Sequence, residues 1–135
     1  MFDTKIAFII RNDLLPWQQL NVVAFLATGI VSVAPEIMGK PYIDSLGRQY
    51  GNMSGQPMLI FESDIFGLQN AHRKGLEREL LMIPYIYEMF KTNNDESNRQ
   101  VFQKEDANNL NLVGLAFRGS KKTVDKVVKG LSLHP

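Results

Sequence analysis

Four short apolar runs along the chain alternate with segments of helical periodicity. Each run is continuous rather than alternating, which is typical of strands buried on both faces of a sheet. The runs predict strands at Lys5–Ile10, Met58–Phe61, Leu80–Pro84 and Leu110–Phe117. The other segments predict helices at Pro16–Val31, Ile65–Arg78, Ser97–Lys104 and Lys121–Lys129, and a short helical turn at Tyr87–Lys91. Strands that alternate with helices indicate an α/β fold, a three-layer α/β/α sandwich of residues 1–135 in a single domain.

The helix predicted after the first strand is apolar on most of its circumference. Pro16 suits the first helical turn because its fixed φ fits there and its missing N–H would have no intrahelical partner. One face at helical spacing carries Leu20, Val23, Ala24, Ala27 and Val31, and the flanks are apolar as well. We therefore expect the sheet to cover one side of this helix and a second subunit of a homodimer to cover another.

The segment between this helix and the second strand has no helical pattern. Tyr42–Tyr50 carries an aromatic residue at each end and Gly47 near its centre. Such a pattern predicts a β-hairpin or another ordered excursion.

The composition is that of an ordinary globular protein. Hydrophobic residues make up 44% and charged residues 21%, the net charge is +1 and the pI is about 8.0, so bulk charge calls for neither nucleic acid nor a membrane. There are no cysteines, which excludes disulfides and thiolate zinc sites. The N-terminus does not resemble a signal peptide, and the apolar segment Val22–Pro35 is too short to span a bilayer. A cytoplasmic protein without a membrane partner is the expectation.

The familiar motifs of cofactor and nucleophile chemistry are missing. The turn after the first strand lacks the glycines of a dinucleotide-binding fingerprint and of a P-loop. Ser54 lies in a loop between glycines, not in the strand-turn-helix context of a nucleophile elbow. The two histidines, His72 and His134, are far apart in sequence. We therefore expect neither a metal site nor a cofactor.

Polar residues follow the first two predicted strands directly. Arg11 and Asp13 follow the first strand, and Ser63 and Asp64 follow the second. If the two strands are parallel neighbours, these groups meet at one edge of the sheet, where α/β proteins usually bind ligands. Arg11 would then hold a small anionic ligand, and Asp13 would orient it or act as a base, with Ser63 and Asp64 beside them. The alternative is structural, with the aspartates capping helices and Arg11 neutralising one of them.

Two amides extend this candidate site into the helix. Gln18 and Asn21 are three residues apart, about one helical turn, and both follow the strand-to-helix turn. We expect both side chains to face one pocket and to donate hydrogen bonds to the ligand.

The segments at residues 5–30 and 112–133 together resemble a family of small, mostly microbial proteins described as a domain of unknown function. That family is similar in fold to the peptidyl-tRNA hydrolases of the archaeal and eukaryotic type. The turn Arg11-x-Asp13-Leu14 and the closing segment Val124–Leu131 match motifs of those hydrolases. The resemblance implies a mixed, mostly parallel four-stranded sheet with an antiparallel last strand, and a dimer.

The sequence departs from the hydrolases at positions that matter for their activity. Where they have a run rich in glycine and lysine, this chain has Trp17-Gln18-Gln19-Leu20, and no lysine occurs between Lys5 and Lys40. A neutral amide cannot supply the ammonium charge that would anchor a phosphate. The best hypothesis is a small-ligand-binding or hydrolase-like protein with its site at the end of the first strand. The alternatives are a non-catalytic homo-oligomeric binding module and a peptidyl-tRNA hydrolase, the latter with RNA as its partner.

Overall fold

The computed structural model describes residues 2–135, which form a mixed sheet with helices on both faces. The strands are β1 (Thr4–Arg11), β2 (Met58–Ser63), β3 (Met82–Ile86), β4 (Leu112–Ser120) and β5 (Ser132–Leu133). The helices are α1 (Pro16–Val33), α2 (Ile65–Glu77), α3 (Asp95–Gln103) and α4 (Lys121–Val127). Two short 3₁₀ helices lie at Pro35–Ile37 and Tyr87–Lys91. The predicted α/β class is confirmed.

The strand order is β3-β4-β1-β2-β5. Only β1 and β2 are parallel, and the other three pairs of neighbours are antiparallel. The sheet therefore has five strands instead of the expected four, and it is mixed but not mostly parallel. The fifth strand forms because Gly130, with a φ of +88°, turns the chain after α4 and returns it along β2. A strand of two residues is too short to show any periodicity in the sequence.

Helix α1 covers one face of the sheet, and Val23, Ala27 and Val31 of its predicted apolar face pack partly buried there. Its fully buried residues are Val22, Leu26 and Ile30, whereas Leu20 is 73% exposed. A helix that is apolar almost all round does not reveal its inward face by pattern alone. The inward face is set by Gly114 of β4, because Val22 and Leu26 occupy the space that a side chain there would fill.

Helices α2 and α4 cover the opposite face of the sheet. Leu68 and Ala71 of α2 and Val124 of α4 pack there against Ala7 and Ile9 of β1. The two faces of β1 thus lie in two separate clusters of buried apolar side chains.

The third strand begins and ends two residues later than its predicted bounds, Leu80–Pro84. After α2, Glu79 adopts a φ of +54° and the N–H of Leu80 donates to the carbonyl of Gly75, so residues 78 and 79 form a turn. The strand then continues past Pro84 because β3 lies at the edge of the sheet, where a missing N–H is tolerated.

The segment between α1 and β2 forms an ordered excursion, as predicted for Tyr42–Tyr50. The N–H of Tyr50 donates to the carbonyl of Tyr42 at 2.7 Å, and Ile43 pairs with Gln49 in an antiparallel bridge. Within residues 2–135, no helix is both long enough and apolar enough to cross a membrane.

Candidate functional site

The C-terminal ends of β1 and β2 lie side by side at one end of the sheet, as the sequence predicted for parallel neighbours. Arg11 and Ser63 are partners in the parallel register. The N–H of Asn12 donates to the carbonyl of Ser63 at 2.9 Å and extends the pairing into the turn. The start of β4 lies at the same end of the sheet because β4 is antiparallel to β1, and the end of β3 lies there because β3 is antiparallel to β4.

Arg11 is tied to its surroundings by three hydrogen bonds. Its Nε donates to Oδ1 of Asp13 at 2.7 Å, and its Nη1 donates to Oδ1 of Asn111 at 2.9 Å and to the carbonyl of Leu112 at 3.3 Å. The side chain of Arg11 is 11% exposed, whereas that of Asp13 is 65% exposed. Arg11 therefore joins the end of β1 to the start of β4, and Asp13 faces solvent.

Ser63 and Asp64 serve the start of α2. Oδ1 of Asp64 accepts from the N–H of Gly67 at 2.8 Å, which is an N-cap. The buried hydroxyl of Ser63 donates to the carbonyl of Asp64 at 3.0 Å. A Cβ at Gly67 would lie only 1.9 Å from that hydroxyl oxygen, so a side chain at this position of α2 would force the Ser63 hydroxyl to move.

Gln18 and Asn21 take different roles in α1. Oε1 of Gln18 accepts from the N–H of Leu15 at 2.9 Å and closes the first turn of the helix. Oδ1 of Asn21 instead accepts a hydrogen bond of 3.1 Å from the hydroxyl of Tyr85, at the end of β3. The two amides therefore do not share a pocket, and Asn21 alone reaches the groove described next.

A groove separates α1 from the segment 83–102, beside the edge where β1 ends. It consists of two adjoining cavities of about 560 and 330 Å³. Five residues line both cavities, namely Phe25, Tyr85, Met89, Asp95 and Asn98. The larger cavity is mainly apolar, while the smaller one adds Asn21 and the polar loop of residues 92–94.

Aromatic side chains form much of the groove wall. Trp17 packs edge-on against Phe90 with ring centroids 5.7 Å apart, and Phe25 packs in the same way against Tyr85 at 5.9 Å. Tyr85 and Phe90 are 5.2 Å apart and link the two pairs. Trp17 and Phe25 are each more than half exposed, so both present ring surface to a ligand.

Tyr87 connects the groove with the strand end. Its ring packs edge-on against Phe90 at 5.6 Å. The guanidinium carbon of Arg11 lies 5.6 Å from the Tyr87 ring centroid, and Nζ of Lys91 lies 6.0 Å from it. The predicted site at Arg11 and the groove are therefore neighbours across one aromatic ring.

The groove is lined by neutral hydrogen-bonding groups and by two charged side chains that pair with each other. Burial raises the pKa of the Tyr85 hydroxyl, which keeps it a proton donor to Asn21 at neutral pH. Asp95 pairs with Arg99 one helical turn later, and this contact raises the pKa of Arg99. Within residues 2–135, no three His, Asp or Glu side chains come close enough to hold a metal ion.

The chain matches the model of one protein family over nearly its whole length. That family carries the description "Protein of unknown function (DUF2000)", and its model matches residues 4–135. The chain belongs to the DUF2000 family. No curated protein matches this DUF2000 chain.

A solved structure of a protein of unknown function from Agrobacterium tumefaciens strain C58 is similar to this DUF2000 protein. The two sequences are 47% identical, the match covers 100% of both chains and the TM-score is 0.98. The likeness extends over both sides of the groove and over the end of β1.

The sequence of this DUF2000 chain gives little indication of the groove. Helical spacing indicates Asn21 as a candidate, but its partner Tyr85 is 64 positions away. Asn93 lies in the polar stretch before the helix predicted at Ser97–Lys104, Asn98 lies inside that helix, and neither belongs to a known motif. The one local signal was an apolar strand that runs directly into aromatic and amide-rich sequence, as ligand-binding loops at sheet edges often do.

Proposed function

We propose that the protein binds a small organic ligand in the groove between α1 and the segment 83–102. The observation that carries this proposal is the hydrogen bond between Asn21 and Tyr85 inside a groove lined by aromatic rings. Small-molecule sites are typically concave and mostly apolar, with a few placed polar groups and volumes of about 300–1,000 Å³. Both cavities of the groove fall within that range.

Binding is better supported than catalysis by the groups that face the groove. Hydrolysis usually needs a nucleophile and a base within hydrogen-bond reach of one another. The groove offers a tyrosine hydroxyl bonded to an amide and a carboxylate paired with Arg99. A hydrolase-like reaction at Arg11 and Asp13 would have to use a guanidinium that already makes three hydrogen bonds.

The only tryptophan of the chain provides a direct test. Trp17 lines the smaller cavity and is 56% exposed, so a ligand in the groove should change its fluorescence. We expect hits from a library of small organic fragments to shift this emission. Tyr85→Phe, which removes only the hydroxyl, should weaken their binding.

Phe66→Ala serves as the matched control for this test. Phe66 is 74% exposed on α2, on the other side of the sheet, so its loss should leave fragment binding unchanged. Fragments that bind the parent and Tyr85→Phe equally, or a library without any hit on Trp17, would contradict the proposal.

Peptidyl-tRNA hydrolysis is the second candidate, supported by the turn Arg11-x-Asp13-Leu14. That turn stands at the end of the first strand, as the resemblance to the hydrolases implies. The expected lysine is absent, and Gln18 in that stretch is used to close the first turn of α1. Purified protein at micromolar concentration should release peptide from peptidyl-tRNA if this candidate holds, and activity should fall steeply with added salt.

A homo-oligomeric binding module is the third candidate, supported by exposed apolar side chains. Leu20 and Phe25 on α1 are 73% and 55% exposed, and Leu46 in the excursion is 77% exposed. A dimer that covers these side chains would explain their exposure in the single chain. Sedimentation equilibrium would show a dimer in this case, and a monomer at high concentration would remove the candidate.

A further inference from the structure

Three asparagines around the smaller cavity share one hydrogen-bonding arrangement. Oδ1 of Asn21 accepts from Tyr85, Oδ1 of Asn93 accepts from Asn94 at 3.0 Å, and Oδ1 of Asn98 accepts from Thr92. Across residues 2–135, none of the three Nδ2 groups has a hydrogen-bond partner. Each Nδ2 carries two free N–H bonds, whereas each Oδ1 has already accepted one hydrogen bond and has one lone pair left, so these three amides offer the cavity twice as many donors as acceptors.

The charged groups around the groove cancel one another. Asp95 forms an ion pair with Arg99, and Nζ of Lys91 lies 3.3 Å from Oε1 of Glu88. An anionic ligand would therefore find no uncompensated cation, and a cationic ligand would find no free carboxylate. A neutral ligand with acceptor atoms fits this balance, because neither partner has to bury an unpaired charge.

The aromatic rings determine the shape of the ligand. Trp17 and Phe25 present exposed ring surface on the α1 side, and Tyr85 and Phe90 form the floor between them. Flat rings pack on aromatic side chains in offset or edge-to-face geometry and gain more than their buried area alone supplies.

We infer that the ligand of the groove is a neutral, planar heteroaromatic molecule whose carbonyl oxygens and ring nitrogens accept hydrogen bonds from Asn21, Asn93 and Asn98. This inference rests on the proposed binding function and names its ligand class. A fused two-ring system matches the combination of a polar rim and aromatic walls. An aliphatic chain would leave the amide N–H groups without partners when it displaces water from them.

Caffeine is a suitable probe because it is neutral, planar and bicyclic and has acceptors but no N–H or O–H donor. Its charged counterpart is theophylline-7-acetate, which adds a carboxylate to the same ring system. Decanoate represents aliphatic ligands. Each probe is titrated into ¹⁵N-labelled protein, and the side-chain amide signals of Asn21, Asn93 and Asn98 are followed.

We expect caffeine to shift these three amide signals and to leave Asn70 on α2 unmoved. Theophylline-7-acetate and decanoate should bind more weakly. Asn21→Asp and Asn98→Asp keep the acceptor oxygen for Tyr85 and Thr92 but replace the free donor, so each should weaken caffeine binding by about tenfold or more. Asn70→Asp, a control of the same chemistry on an exposed position outside the groove, should change nothing.

The outcomes separate this inference from the function on which it rests. If decanoate binds at the groove amides and caffeine does not, the ligand class is wrong and groove binding stands. If tighter binding accompanies the carboxylate of theophylline-7-acetate, the inferred neutrality is wrong. If caffeine binding is indifferent to both aspartate variants, the inferred donor role of the amides is wrong. If neither these probes nor the fragment library affects Trp17 or the amides, groove binding itself fails.

Discussion

Gly114 of β4 lies directly beneath Val22 of α1, and a Cβ at position 114 would be 2.4 Å from Cγ1 of Val22. The same Cβ would lie 3.0 Å from Cδ1 of Leu26. The absence of a side chain at Gly114 therefore lets α1 pack close to β4, with Val22 and Leu26 filling the space above the glycine. This contact explains why α1 buries Val22 and Leu26 and leaves Leu20 in solvent.

Gly114→Ala should be clearly destabilising. The added methyl group overpacks a fully buried site, and such changes cost about 1–3 kcal/mol of unfolding free energy. Urea unfolding followed by circular dichroism measures the loss. Gly51→Ala is the control, because the structure has no atom within 4 Å of a Cβ there; a loss of equal size at Gly51 would refute the packing explanation.

Asp64 can be tested as a helix cap and as a ligand-binding residue with one pair of variants. Asp64→Ala removes the acceptor of the Gly67 N–H and should lower stability by about 1 kcal/mol. Asp64→Asn keeps an acceptor and should retain most of the stability. If Asp64→Asn is stable but weakens binding of a fragment hit, the side chain contributes to a ligand site as well as to the cap.

The carboxylate of Asp44 organises the excursion at Tyr42–Tyr50. Hydrogen bonds from the backbone and side chain of Arg48 and from the hydroxyl of Tyr50 lower the pKa of Asp44 from 3.8 to about 2. Because the pKa of Asp44 is lower in the folded loop, its ionised form stabilises the fold at every pH above the unfolded pKa of 3.8. This contribution is lost as the pH falls through the folded pKa of about 2. Carbon NMR of the Asp44 carboxyl group should show this titration.

Arg48→Ala should move the pKa of Asp44 part of the way back to 3.8. The shift is partial because the backbone N–H groups of residues 46 and 48 still donate to Asp44. Lys40→Ala changes a charge in the same excursion without touching these bonds. A pKa of Asp44 that responds equally to both variants would point to general charge instead of specific hydrogen bonds.

Gln56 joins three separate parts of the chain and is 4% exposed. Its Nε2 donates to the carbonyl and hydroxyl oxygens of Thr4 at 2.9 and 3.0 Å, and its Oε1 accepts from Nε of Arg118 at 3.2 Å. Gln56→Leu would leave these groups without a partner and should cost about 1–3 kcal/mol. Thermal and urea unfolding measure the change, with the exposed Gln103→Leu expected to remain near the parent.

The sequence predicted elements well where local signals agree. β1 and the start of α1 combine an apolar run, a polar turn and Pro16, and each points to the same boundary. The end of β3 was placed too early because Pro84 normally stops a strand, and only the sheet order shows that this strand lies at an edge. The sequence left the inward face of α1 open, because a nearly uniform apolar pattern leaves that choice to tertiary packing.

The candidate site shows the same division between local and distant information. The convergence of Arg11 and Ser63 followed from one assumption, that two apolar runs are parallel neighbours, and that pairing is confirmed. The groove forms only because α1 lies beside β3, and these two elements are far apart in sequence. Neither residue spacing nor composition indicates that α1 and β3 lie side by side, so the sequence alone does not point to Tyr85 and Asn98.

The strand order has a consequence for how the chain acquires its structure. β4 lies between β1 and β3, and its pairing joins Thr4 to Ser120 and Ile10 to Gly114. During synthesis, β1 therefore keeps one edge unpaired until β4 has left the ribosome. Contacts of such long sequence separation slow folding and lengthen the time for which an apolar strand is unprotected. The centre of this sheet is completed only when β4 is available, long after β1 has been made, because Thr4 pairs with Ser120 and Ile10 with Gly114.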